Sequence, residues 1–151
     1  MPEKKKNPIR LITDLSKAYE GYMKNEMKSI GVKTSYRHLL CPLAVKDGVT
    51  QLDLVKISHL KAPTVSTTLR NMEIEGLVTR ETDKDDARAT RVFITEKGRK
   101  IDEQLRESAK KAASLMLAGV NTKEKDEAVA VLSKIAENVK NNSDMFVCYD
   151  E

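Results

Sequence analysis

Tryptophan is absent from the 151 residues, and the only aromatics are four Tyr and two Phe. An interior with so few rings must come from Leu, Val, Ile, Met and Ala, residues suited to helix packing, and an all-β barrel is disfavoured. Cysteine is nearly absent as well: Cys41 and Cys148 lie far apart without the spacing of a metal site. That usage fits a reducing cytosol, so a cytoplasmic location with no metal and no cofactor is expected. No apolar run approaches the roughly 18 residues of a membrane span, because charges interrupt every window. The N-terminus, Met1-Pro2-Glu3-Lys4-Lys5-Lys6, is basic but leads into amphipathic periodicity rather than into a secretion signal. No glycine-rich phosphate loop, catalytic triad or zinc spacing occurs, and the length excludes a large two-domain enzyme. No enzymatic activity is expected.

What is present is helical periodicity. Ile9, Ile12, Leu15, Tyr19, Tyr22, Met23 and Met27 recur at intervals of three and four, which predicts a long amphipathic helix ended near Gly31. Thr34 or Ser35 is placed to cap a second helix carrying Leu39, Leu40 and Leu43, and Pro42 should bend or shorten it. After the Asp47-Gly48 turn, Thr50 and Asp53 have capping-box spacing for a short helix bearing Leu52, Val55 and Leu60. A turn around His59 to Lys61 separates it from a helix restarting at Ala62-Pro63-Thr64 and stopped by Gly76. Two short helices joined by such a turn outline a helix-turn-helix. Two β-branched, alternating runs, 77–82 and 90–95, flank a polar stretch and predict a hairpin with a long tip. Thr95 can cap the next helix, with Ile101, Leu105, Ser108, Ala112 and Leu115 on one face. Asn121 with Glu124 opens a last helix striped by Ala128, Leu132, Ile135 and Val139, and the apolar tail 145–149 is suited to dock on a second subunit.

Helix, helix, hairpin in this order reads as a winged helix-turn-helix: mainly α with a small β-wing, flanked by long N- and C-terminal helices. The major groove of duplex DNA admits one α-helix, and the adjacent minor groove can take a basic hairpin tip. If Val65, Leu69 and Met72 point inward, 100° per residue sends Pro63, Thr67 and Arg70 outward, with Thr64, Ser66 and Asn71 beside them. Hydroxyls, an amide and a guanidinium suit base edges and phosphates. Lys84 and Arg91 add cations on the hairpin.

The stretch Ala62-Pro63-Thr64-Val65-Ser66-Thr67-Thr68-Leu69, with Met72-Glu73, Gly76-Leu77-Val78 and Arg80, resembles the recognition helix and first wing strand of the MarR family of transcriptional regulators. Asp86-Ala87-Arg88, followed by Ile94-Thr95-Glu96-Lys97-Gly98-Arg99, is similar to that family's wing signature, with Ile94 in place of the usual Leu. Thr67 and Thr68 depart from the more basic or apolar residues often found there. The resemblance implies that Arg88 enters the minor groove and that Asp86 orients it. It also implies a homodimer in which the first, fifth and sixth helices interlock, a pseudo-palindromic DNA operator, and repression relieved by a small effector. On that reading, residues 1–33 form a dimerisation helix and 34–97 the DNA-binding lobe, with the recognition helix near 62–75 and the wing near 77–95. Residues 98–151 then supply further dimerisation helices. Relatives bind small aromatic acids between these parts, so Tyr19, Tyr22, Met23 and Tyr36 are candidates to contact an aromatic or other hydrophobic effector. The same residues at helical spacing equally build a core.

His38 and His59 join no nucleophile or carboxylate in a recognisable arrangement, and Cys41 falls in an apolar stretch where a small buried hydrophobe is the plainer reading. The net charge of +4 is unevenly placed. Residues 1–37 hold nine basic against four acidic side chains, whereas 46–97 hold nine of each. A protein-interaction or architectural winged helix without sequence-specific DNA binding is the competing expectation.

Overall fold

The computed structural model describes residues 7–142. Within them the chain divides into two compact units, with the boundary between Ala113 and Ser114. The first unit opens with α1 (Pro8–Ile30), whose free N–H groups at Ile9 and Arg10 are capped by the Asn7 side chain. Gly31, in the left-handed region, ends α1 by donating to the Met27 and Lys28 carbonyls. Neither Thr34 nor Ser35 caps the second helix as the sequence suggested. That segment instead tightens into a single 3-10 turn, Thr34–Tyr36, and α2 (Arg37–Val45) continues from it without a side-chain cap. Pro42 sits inside α2, and the helix stops three residues later with the Lys46 N–H on the Pro42 carbonyl.

A two-residue strand, β1 (Val49–Thr50), precedes α3 (Gln51–Ser58). The Thr50–Asp53 capping box forms at the start of α3. His59, with φ of 57°, turns the chain into α4 (Ala62–Ile74), which carries Pro63 in its first turn. Then come β2 (Val78–Thr82), β3 (Thr90–Ile94) and the first part of α5 (Glu96–Met116). The strands form an antiparallel sheet in the order β1-β3-β2, with Val49 opposite Val92 and Thr82 opposite Thr90. β1 escapes sequence reading because two residues are too short to show alternation.

One apolar core holds this unit together. Met23, Met27, Leu39, Leu40, Leu43, Leu54, Val65, Leu69, Met72, Leu77, Val92 and Leu105 are buried in it. It unites α1 to α5 and the sheet, and it is aliphatic and methionine-rich as the composition implied, except for one fully buried aromatic, Tyr36. At the root of the sheet, the Asp47 carboxylate accepts from the backbone N–H of Gly48 and Ile94 and from Arg99 Nη2 at 2.6 Å. Thr95 does comparable work: its backbone N–H donates to the Leu77 carbonyl, its hydroxyl donates to Gly76 and accepts from the Gly98 N–H.

The second unit contains α6 (Thr122–Asn141), opened by the Asn121–Glu124 capping box. No residue of α6 is buried, and Val129, Val131, Leu132 and Val139 are exposed. Other large exposed apolar residues include Ile9, Leu11 and Leu15 on α1 and Leu115 to Leu117 near the end of α5, along with Val45, Leu52, Ile57 and Ile74 on α2 to α4.

Candidate nucleic-acid interface

The helix α4 buries Val65, Thr68, Leu69 and Met72. Pro63, Thr64, Thr67 and Arg70 are exposed, and Ser66 and Asn71 are half-buried at the edges of the outward face. The periodicity argument thus placed all six residues, while Thr68, one of the two departures from the family pattern, faces the core. The far end of α4 is secured by several contacts. Glu75 accepts from the Tyr36 hydroxyl at 2.5 Å and lies 3.9 Å from Lys33 Nζ, and Lys97 Nζ donates to its carbonyl. Glu73 receives Arg80 through Nε and Nη2 at 2.9 and 2.6 Å, which holds its carboxyl below the ordinary range.

The wing tip, residues 83–89, is closed by the Asp83 N–H on the Ala89 carbonyl at 2.8 Å. Asp86 contacts Arg88 through the backbone: its Oδ1 accepts the Arg88 N–H at 2.9 Å. Asp83, which sequence reading did not single out, is only 7% exposed. Its Oδ1 accepts the N–H groups of Asp85 and Asp86 at 2.8 and 3.0 Å, and Arg91 Nε donates to its Oδ2. The two backbone donors, then Arg91, hold the Asp83 carboxyl below its ordinary value. Arg91 also donates to the Gly48 carbonyl at 2.8 Å. The signal that could have found Asp83 is an Asp two and three residues before the amides it captures, the spacing of an Asx turn.

Among the described residues, the side chains of Arg70, Lys84 and Arg88 make no hydrogen bond or ion pair. An open concavity of ≈ 480 Å³ lies between α3, the start of α4 and the wing, lined by Leu52, Val55, Ala62, Arg88 and Thr90 among others. Exposed acids share this hairpin, with Asp85 and Asp86 on the tip beside Lys84 and Arg88 and Glu81 just before it. Asp47, Asp53, Glu73, Glu75 and Asp83 are engaged in internal contacts.

The candidate effector residues are packed rather than open. Met23 and Tyr36 are fully buried, and Tyr19 and Tyr22 lie partly buried against the same core. Burial and then the Glu75 contact raise the Tyr36 hydroxyl above its ordinary pKa. Cys41 is half-buried, and burial with the neighbouring Asp102 carboxylate pushes its thiol up to about 11. His38 and His59 are exposed. The apolar tail 145–149 and Cys148 lie outside the described residues. No cluster of three metal-ligating side chains occurs among the described residues. No helix among them is long and apolar enough to cross a membrane.

The MarR family model matches residues 36–90, the stretch from the turn before α2 to the start of β3. An HTH-type transcriptional regulator of Bacillus subtilis, YdgJ, is 30% identical over 111 residues, covering 74% of this chain and 68% of that protein. The chain belongs to the MarR family. It also superposes on a MarR-family transcriptional regulator from Silicibacter pomeroyi with a TM-score of 0.71 and 27% identity, over 85% and 87% of the two chains. The fold is shared with a MarR-family regulator from Listeria monocytogenes solved with a 26mer DNA, at a TM-score of 0.78 and 23% identity over 91% of each chain. Family and fold together make this MarR-family chain a DNA-binding winged helix-turn-helix regulator of transcription, not an enzyme.

Proposed function

We propose that the chain is a cytoplasmic homodimeric repressor that reads a pseudo-palindromic operator and is released by a small hydrophobic effector. Residues 1–33 and 98–151 supply the dimer contacts, and residues 34–97 supply the DNA-binding lobe. The outward residues of α4, Pro63, Thr64, Ser66, Thr67, Arg70 and Asn71, face the major groove, while Lys84 and Arg88 of the tip reach the adjacent minor groove. The observation that carries this reading is the availability of three cations: Arg70 on the outward face of α4 and Lys84 and Arg88 on the tip are exposed with unengaged side chains, while Glu73 and Asp83 are tied to Arg80 and Arg91. A narrow minor groove concentrates negative potential and attracts such an arginine.

The dimer is supported by the exposed apolar residues of α1, α5 and α6, which need a cover. An isologous pair places two recognition helices about one helical turn apart on DNA, which favours a palindrome. Release follows when an effector prefers a dimer whose recognition helices are wrongly spaced for successive major grooves. Tyr19 and Tyr22, partly buried against the core, are the effector-facing candidates, with Met23 and Tyr36 buried within that core.

Unbiased selection of duplexes by the purified full chain tests the reading. A palindromic consensus, a binding constant that falls with salt, and altered base preference in Arg70→Ala or Thr67→Ala are expected. A flat salt response with no preferred sequence would instead establish a protein-docking winged helix.

A further inference from the structure

The seven-residue wing tip is too long to be fixed by hairpin geometry alone, and ordering a loop costs conformational entropy at every residue. Six of its seven residues are exposed or half-buried, and Asp83 is the exception. Its carboxylate gathers the backbone of Asp85 and Asp86 from one side and the Arg91 guanidinium from the other. Arg91 passes the restraint on to the Gly48 carbonyl, in the connection between α2 and β1. Asp86 continues it toward the tip by accepting the N–H of Arg88, and the Ala89 N–H returns to the Asp86 carbonyl at 2.9 Å. An unbroken chain of bonds therefore runs from the body of the lobe to the backbone of Arg88.

We infer that Asp83 is the positioning residue of the DNA-reading wing, holding Arg88 in place before contact, and that Arg91 is its brace rather than a second groove contact. The inference rests on Arg88 reaching DNA as proposed above. Its physical content is preorganisation: an arginine on an ordered tip loses less conformational freedom when it binds. The two cations of β3 and the tip thus have different employments. Arg88 is unpartnered and outward, whereas the Arg91 guanidinium holds Asp83 and Gly48.

A double-mutant cycle on the full chain tests this, using a duplex selected by that chain from a random pool. Arg88→Ala alone should weaken binding by about tenfold or more, and Asp83→Ala and Arg91→Ala by roughly five- to tenfold each. In the Arg88→Ala background, either second substitution should change affinity less than about twofold. A stabilising role without positioning predicts equal losses in both backgrounds, and that result would overturn the inference, as would unchanged affinity in Asp83→Ala. If Arg91 touches DNA itself, its loss persists without Arg88. A silent Arg88→Ala removes the wing from DNA binding altogether, which separates failure of the underlying reading from failure of this one. Asp83→Asn guards against unfolding, because it keeps an oxygen for the two amides and loses only the charge facing Arg91. It should stay cooperatively folded, melting only slightly below the parent because the charge facing Arg91 is gone, and show an intermediate affinity loss that vanishes in Arg88→Ala.

Discussion

Two glycines lie inside helices of this chain, and the structure assigns them opposite responses to the same substitution. A Cβ on Gly98, in the first turn of α5, would stand 2.2 Å from the Leu77 carbonyl oxygen and 2.8 Å from Ile94 Cγ1. Relief requires the Leu77 carbonyl, just before β2, to retreat by about 1 Å, and that oxygen is the acceptor of the Thr95 N–H. Overpacking of this kind costs about 1–3 kcal/mol, and loss of the Thr95 bond adds about 1 kcal/mol. Alanine returns ~1 kcal/mol through helix propensity, so Gly98→Ala should be destabilised by about 1–3 kcal/mol. Gly21, in the middle of α1, has nothing within 4 Å of its Cβ position. Gly21→Ala should therefore gain up to ~1 kcal/mol. Urea unfolding of both variants at one fixed protein concentration reads the two signs directly, and each kcal/mol should move the thermal midpoint by roughly 2–4 °C. A Gly98→Ala protein as stable as its parent would refute the claim that α5 docks on the wing root through a missing side chain.

Tyr36→Phe removes the buried hydroxyl bonded to Glu75, whose carboxylate keeps water access, so a loss of about 0.5–1.5 kcal/mol in denaturant unfolding is expected; no loss would mean that the contact does not secure the end of α4. In Cys148→Ser protein, a Cys41 pKa of about 11 leaves roughly 0.1% thiolate at pH 8, against about a quarter for a free thiol, so alkylation should be ~10²-fold slow. Alkylation at the free-thiol rate would contradict that environment. Asp83 and Glu73 are depressed below ordinary values of 3.8 and 4.5, so their stabilisation is complete above those values and is lost as pH falls through the lower folded ones. Acid unfolding should accordingly begin below about pH 4 and be shallower in Asp83→Asn; identical acid limbs would remove Asp83 from the pH response.

The parts of the fold set by local chemistry were legible from the residues. Thr50 with Asp53 and Asn121 with Glu124 form capping boxes because a hydroxyl or amide three residues from a carboxylate satisfies both free backbone donors. The stripe Val65, Leu69, Met72 fixed the orientation of α4, and with it the outward set, because helical periodicity leaves one solution. Contacts between segments distant in sequence were not legible. Asp47 with Arg99, Tyr36 with Glu75, and Arg91 with Gly48 span between 39 and 52 positions, and nothing local marks them. The Thr-x-x-Gly motif is a mixed case. Thr95 was readable as a cap, whereas the reason for Gly98 appears only when the Leu77 carbonyl is seen against it.

The lack of any buried residue in α6 bears on dosage. In a homodimer of the kind proposed, that helix gains a dry face only when two chains meet, so the amount of competent protein rises with the square of chain concentration at low abundance. Operator occupancy would then respond more steeply than expression, giving a threshold before any effector is involved. A cell could switch such a regulator by halving its synthesis, without touching the residues that meet DNA.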